Sequence, residues 1–325
     1  MSDVGSGFRV ALVTPDWIGG KAWNWCESWI HAFRDLGIDH KAYHVKNDER
    51  SVRDFFAGLK QQTFSHVLLS GGDQHLSFLH DADWKKDCWA ALDASTICVC
   101  MERIVDSPFP DSLLKTQSAI QAFDAFVYVD EFADSLFSSA GKPSKWTTQF
   151  ADHTLFRSRR PFILRKSKLY FRAQLSNFGI EGVYDERRRL IEAVRDQPMF
   201  QINGKLLSPH RYARELGKQR FVLRAPSNCP GWVDNFWNAI ASGCVVFHHA
   251  LPVDEVRSNR ILIPETHYLS YDINDPDALC RRAVEVAKNW KDYVHVGEAA
   301  RQLFLSHHTV RHFIRDTMAF AAEVL

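Results

Sequence analysis

Short runs of β-branched and aromatic residues alternate along the chain with longer segments of helical period, and this alternation limits the possible folds more than any other feature. It is the signature of parallel sheets joined by crossover helices, an α/β architecture. In the first half the pattern predicts strands over residues 8–14, 40–45, 66–70, 96–101, 125–129 and 145–150. A first helix is expected over about 23–36, where Trp25, Trp29, Phe33 and Leu36 recur at spacings of three or four and form one apolar stripe to lie on the sheet. Gly37 is placed to end it. The second half repeats the pattern, with strands expected over 169–173, 199–202, 221–224, 244–248 and 261–263. Helices are expected over 184–195, 209–216, 233–242 and 276–290, with two more closing the chain.

A chain of 325 residues exceeds what one hydrophobic core usually organises, so two domains are expected. The stretch HTLFRSRRPFILRKSK, His153 to Lys168, is densely charged and has a single proline, which suits an exposed crossing between them. The boundary is set near residue 160, giving Rossmann-like halves over 1–160 and 161–325 that face one another across a cleft. Ligands of such sheets bind at the carboxyl ends of the strands.

Composition excludes several classes. Apolar residues make up 46% and charged residues 24%, the balance of a folded globular chain. A net charge of +1 provides no general field for collecting nucleic acid. The apolar runs fall far short of the roughly 20 residues of a membrane helix, so no membrane span is expected. The opening residues lack a basic start followed by an apolar core, and a cytoplasmic protein is expected. Seven cysteines form no CxxC pair and no zinc-type cluster, which suits a reducing compartment. Cys98 and Cys100 alternate on one face of a strand and read as core. The histidine pairs 248/249 and 307/308 lack a third ligand at suitable spacing, so no metal site is expected.

The segment KQRFVLRAPSNCPGWVDNFWNAIASGCVVFHH, Lys218 to His249, carries the most chemistry. A strand runs into a glycine-containing loop, then a helix, then a buried strand. The start of such a helix offers backbone N–H groups and a positive dipole end to an anion, and a diphosphate fits there. Gly231 permits close backbone approach, Asp234 is placed to cap the helix, and Gly243 lets the chain turn into the next strand.

Within this segment NFWNAIASGCVVF resembles the nucleotide-sugar-binding core of GT-B glycosyltransferases, with exostosin-type and CgeB-like (spore-maturation) transferases nearest in wording. HVGEAARQLFLSHHTVRHFIRDTM, His295 to Met318, is similar to the end of the CgeB-like family, whose last helix packs near the hinge. FADHTLFRS, Phe150 to Ser158, resembles the link between the two domains of that family. The resemblance implies a GT-B fold and transfer of a hexosyl or pentosyl group from a nucleotide-diphosphate sugar to an acceptor hydroxyl. The nucleotide sugar would be a co-substrate and no cofactor would be needed. The first domain would hold the acceptor and the second the donor. One departure stands out: Asn238 replaces the glutamate that usually receives the donor ribose hydroxyls, and an amide brings no charge.

By the same resemblance, Arg172 faces the diphosphate, and an arginine fork suits phosphate oxygens. Lys205 and Arg224 end neighbouring strands on the same rim, while Ser208 and Tyr212 lie where related enzymes hold the base, Tyr212 being equally suited to helix packing. Asn228, Gly231, Trp232, Asp234, Asn235 and Asn238 complete the donor set from the loop and helix, with Trp237 beside them read as core. Gly19, Gly20 and Lys21 look like the loop that closes on the donor phosphate from the first domain. Asp16, Asp73 and Glu102 follow strands of the first half and are the candidate general bases of an inverting transferase; a retaining one needs none in that sense. The nearest DxD match, Asp81 to Asp83, stands before a helix and reads as a capping region, so the absence of an acidic pair in a loop suits metal-independent chemistry. Three other readings share the fold: a phage-type enzyme glycosylating a modified DNA base, with Arg157, Arg159, Arg160, Arg165, Lys166 and Lys168 as its basic strip; a non-catalytic binding module; and a nucleotide-sugar epimerase.

Overall fold

The computed structural model describes residues 7–15, 25–70, 77–80, 82–101, 104, 120–157, 160–173, 175, 184–205, 207–226, 234–250 and 261–325. They form two compact units. The first takes in the described residues through Thr148 together with Val310–Leu325, and the second spans Gln149–Thr309. The division falls at Thr148/Gln149 against an expected 160, and the last helix, assigned by sequence to the second half, belongs to the first unit.

The first unit has a six-stranded sheet: β1 (Arg9–Pro15), β2 (Asp39–Val45), β3 (His66–Ser70), β4 (Ser95–Cys100), β5 (Ala125–Tyr128) and β6 (Ser144–Trp146). Their order is β2-β1-β3-β4-β5-β6 and every pairing is parallel. β1, β3 and β4 are near-continuous apolar runs because helices cover both faces. Helices α1 (Trp25–Asp35), α2 (Glu49–Lys60), α3 (Asp83–Ala90) and α4 (Asp134–Ser139) belong to this unit. Trp29 and Phe33 of α1 are fully buried, and the Phe33 ring stacks 5.2 Å from His40 on β2. The stripe is shared, since Trp29 also meets Phe313 of the last helix at 5.5 Å. Gly37 ends α1 at φ +67°, where an L side chain would be strained. Cys98 and Cys100 lie side by side in the core, Sγ to Sγ 3.7 Å.

The second unit has five parallel strands: β7 (Lys166–Arg172), β8 (Phe200–Asn203), β9 (Gln219–Arg224), β10 (Val245–His249) and β11 (Leu269–Tyr271). Their order is β11-β10-β9-β7-β8. The chain leaves β7 towards β8 on one side and returns to β9 on the other, so the winding reverses between β7 and β9. In open α/β sheets that reversal opens a crevice at the strand carboxyl ends. Helices α5 (Asp185–Val194), α6 (Pro209–Leu216), α7 (Asp234–Ala241), α8 (Pro276–Lys288) and α9 (Val294–His307) cover the two faces. One face packs Tyr170, Val222 and Val246 against Phe236, Trp237 and Ile240 of α7 and Phe304 of α9. The other packs Leu169, Phe221, Phe247 and Leu269 against Leu190 and Ile191 of α5 and Leu279 of α8. Gly243 at φ +69° turns α7 into β10, with Cys244 N–H donating back to the Ala239 carbonyl at 3.0 Å. Helix α10 (Val310–Val324) then carries the chain into the first unit.

One expected strand is corrected. Residues 261–263 form no strand; a turn follows in which Glu265 N–H donates to the Tyr268 carbonyl at 2.7 Å, and the edge strand is β11 instead. Pro264 lacks an N–H for a ladder and takes part in only an isolated bridge with Tyr268. β6 is likewise shorter than the expected 145–150.

Candidate functional site

Arg172 and Arg224 are the last residues of β7 and β9, the two strands that flank the winding reversal, and each stands two residues beyond the Tyr170–Val222 register pair. Two cations therefore close adjacent strand ends at the crevice. Arg172 is half-buried and is held by its own sheet: Nε donates to the Tyr170 hydroxyl at 2.5 Å, and Nη1 donates to the Lys205 carbonyl. Asn203, the register partner of Arg172 on β8, accepts the Lys205 N–H on Oδ1 at 3.0 Å. The turn after β8 is thus fastened from both sides while the Lys205 side chain stays exposed.

Arg224 is buried, its Nη1 donating to the Ala225 carbonyl and its own carbonyl accepting the Tyr271 hydroxyl at 2.8 Å. Arg187 of α5, equally buried, donates from Nε to the next carbonyl along, that of Pro226, at 2.5 Å. Its guanidinium lies 4.0 Å over the Tyr184 ring, a cation–π contact in a desolvated setting. Guanidinium groups on consecutive carbonyls repel one another, and Arg187 is pushed down to about 9, by burial first and Arg224 next. At the end of β10 the His248 and His249 rings stack at 4.4 Å. His249 is driven down to about 3 by burial, then by Arg224 and Arg187. His248 is also lowered, with burial again the largest cause. The carboxyl rim of β7, β9 and β10 thus gathers positive charge and keeps its imidazoles neutral, an arrangement suited to an oxyanion.

The sign of the acid response follows. A histidine with a folded pKa below its unfolded value leaves the native state taking up fewer protons than the unfolded chain, so its contribution to stability is lost as pH falls below about 6.5 and until about 3. By that linkage His249 is expected to cost roughly 2 kcal/mol of stability at pH 5. Urea midpoints measured from pH 7.5 to 5 check it: the wild type should weaken steadily and His249→Gln should flatten the slope.

Sequence reasoning missed Arg187, His249 and Tyr271. Arg187 opens the run Arg187–Arg188–Arg189, which reads as a solvated face, yet it shares the spacing of Leu190, Ile191 and Val194, the buried side of α5. That phase was the available signal. Of the expected donor residues, Ser208 precedes α6 at its N-cap position without a side-chain capping bond, and Tyr212 is buried with its ring edge-on to Phe156 at 5.9 Å. Tyr212 thus packs in the core of the second unit. Asn235 and Asn238 lie in the first turns of α7, Asn238 buried. Trp237 is core. Asp16, Gly19, Gly20, Lys21, Asp73, Glu102, Asn228, Gly231 and Trp232 lie outside the described residues, as does the side chain of Asp234. Among the described residues no group of three His, Cys, Asp or Glu side chains is placed to hold a metal, and no helix is long and apolar enough to cross a membrane.

No family model matches the sequence, and no curated protein matches it either. Solved structures do. An Anabaena HepE structure in complex with UDP-glucose superposes with a TM-score of 0.64 at 10% identity, over 98% of this chain and 100% of that one. Sucrose-phosphate synthase from Thermosynechococcus elongatus gives 0.64 at 10% identity over 97% and 100%. An α-glucosyltransferase in complex with UDP and a 13-mer DNA containing a HMU base gives 0.64 at 10% identity over 96% and 99%. Two parallel α/β sheets in this order, matched over nearly the full length of glycosyltransferase structures, establish that the chain has the GT-B fold.

Proposed function

We propose that the protein is a cytoplasmic, metal-independent glycosyltransferase that moves a hexosyl or pentosyl group from a nucleotide-diphosphate sugar to an acceptor hydroxyl. What supports this reading is that Arg172 and Arg224 end β7 and β9, the strands that flank the winding reversal, and that Arg172 donates to the carbonyl of Lys205 in the turn after β8. The donor diphosphate binds there, with Arg187 adding charge from behind Arg224, and the start of α7 presents its dipole to the same anion. The acceptor oxygen attacks the anomeric carbon, the bond from that carbon to the diphosphate oxygen breaks, and the cations take up the charge that grows on the leaving group. The acceptor proton passes to Asp16, Asp73 or Glu102 in an inverting course, or to the leaving phosphate in a retaining one. UDP and UDP-glucose in the structures of similar fold make uridine the first nucleotide to try.

A thermal-shift screen against nucleoside diphosphates and their sugars tests the proposal. A cognate ligand at 100 times its Kd should add about 2.7 kcal/mol of stability. Absence of a shift with every uridine, guanosine, adenosine, cytidine and thymidine diphosphate would end the donor-site reading.

A further inference from the structure

Residues 157–168 contain six arginines and lysines and no acidic residue, and the donor site accounts for none of them. At their centre Phe162–Leu164 form a single helical turn whose Ile163 and Leu164 are 59% and 58% exposed. This pair is held outward. Arg220 donates from Nε to the Phe162 carbonyl at 3.0 Å and from Nη2 to the Ile163 carbonyl at 2.5 Å, while its Nη1 reaches the Ser167 hydroxyl at 3.0 Å. Arg165 turns inward and donates from Nη1 to the Ser242 and Gly243 carbonyls, both at 2.9 Å. The Phe162 ring packs 5.8 Å from Trp290, over which the Arg220 guanidinium lies at 4.5 Å. With its carbonyls fastened to the body, the turn directs its two aliphatic side chains into solvent. Around them Arg157, Arg160, Lys166 and Lys168 are exposed, and so is Lys291, whose ammonium lies 6.0 Å over the Trp290 ring.

We propose that this face of the second unit docks on an anionic lipid surface, with Ile163 and Leu164 entering the headgroup boundary and the surrounding cations meeting acidic headgroups. The combination decides the occupant. Exposed cations alone suit any polyanion, but an aliphatic pair offers nothing to phosphates or base edges, and single-stranded nucleic acid is held by stacked aromatic rings. At a bilayer the same pair leaves water, the half-buried Trp290 stands at the depth where tryptophans collect, and each lysine or arginine gains from the negative leaflet. The inference is independent of the donor site, and its test uses neither a nucleotide nor an acceptor.

The experiment is co-sedimentation of the full chain with vesicles of phosphatidylcholine alone or with added phosphatidylserine, at low and high salt. Partitioning onto the phosphatidylserine vesicles should be at least about tenfold stronger and should fall with salt. The double variant Ile163→Ser/Leu164→Ser should bind roughly tenfold more weakly with an unchanged melting temperature, since both side chains are exposed. Lys166→Glu/Lys168→Glu should remove most of the preference for phosphatidylserine. Equal partitioning onto both vesicles, wild-type binding by the serine double variant, or retention of duplex DNA with vesicles left unbound would each overturn the proposal.

Discussion

Arg172→Ala should lower kcat/KM for the cognate nucleotide sugar by about 10²–10³-fold, the loss typical of one donor aimed at developing charge. Two effects combine in this variant. The side chain brings a fork to the crevice between β7 and β9, and the same side chain fastens the turn that carries Lys205. Removing it takes away one cation and releases the carbonyl that positions a second. Arg172→Lys keeps the charge but loses the planar fork that spans the Tyr170 hydroxyl and the Lys205 carbonyl, so it should recover less than half of the lost free energy. Single-turnover kinetics and diphosphate affinity measured side by side separate binding from chemistry. If both variants turn over and bind like the wild type, the diphosphate is not at this rim.

The parts of this fold that follow from period and chain chemistry were legible in the sequence. β3, β4 and β9 carry short apolar runs at 67–69, 97–100 and 221–223, and Gly37 and Gly243 fall at helix ends where φ is positive. Arg172 and Arg224 were legible too, because a charged residue directly after an apolar strand can only stand at its carboxyl end. What escaped depends on partners distant in sequence. The edge strand β11 adds only three residues to β10, too short a run for alternation to mark, whereas the residues 261–263 looked apolar enough to compete. Arg187 is hidden by its arginine neighbours, and its burial has meaning only once the Pro226 carbonyl is brought to it. The return of α10 to the first unit is a tertiary choice, fixed by Phe313 meeting Trp29 across more than 280 residues of chain. Tyr212 suited both a ligand contact and helix packing by sequence, and helix phase puts it with Ala213 and Leu216 on the buried side.

Trp237→Ala should destabilise the second unit by about 3–5 kcal/mol, the cost of deleting a large ring from a core that cannot collapse around the gap. The ring is fully buried, edge-on to Phe236 at 5.5 Å, 6.3 Å from Phe304 of α9, and stacked 4.5 Å from His308. It therefore holds α7 to α9. Trp237→Phe keeps one ring and should lose less than half as much. The proper readout is the urea midpoint at constant m, with diphosphate binding measured well below it. Binding should survive in the folded fraction, because Trp237 is fully buried among core side chains. A variant of normal stability that had lost the nucleotide would instead make this ring a stacking platform, and the core of the second unit would need a different keystone.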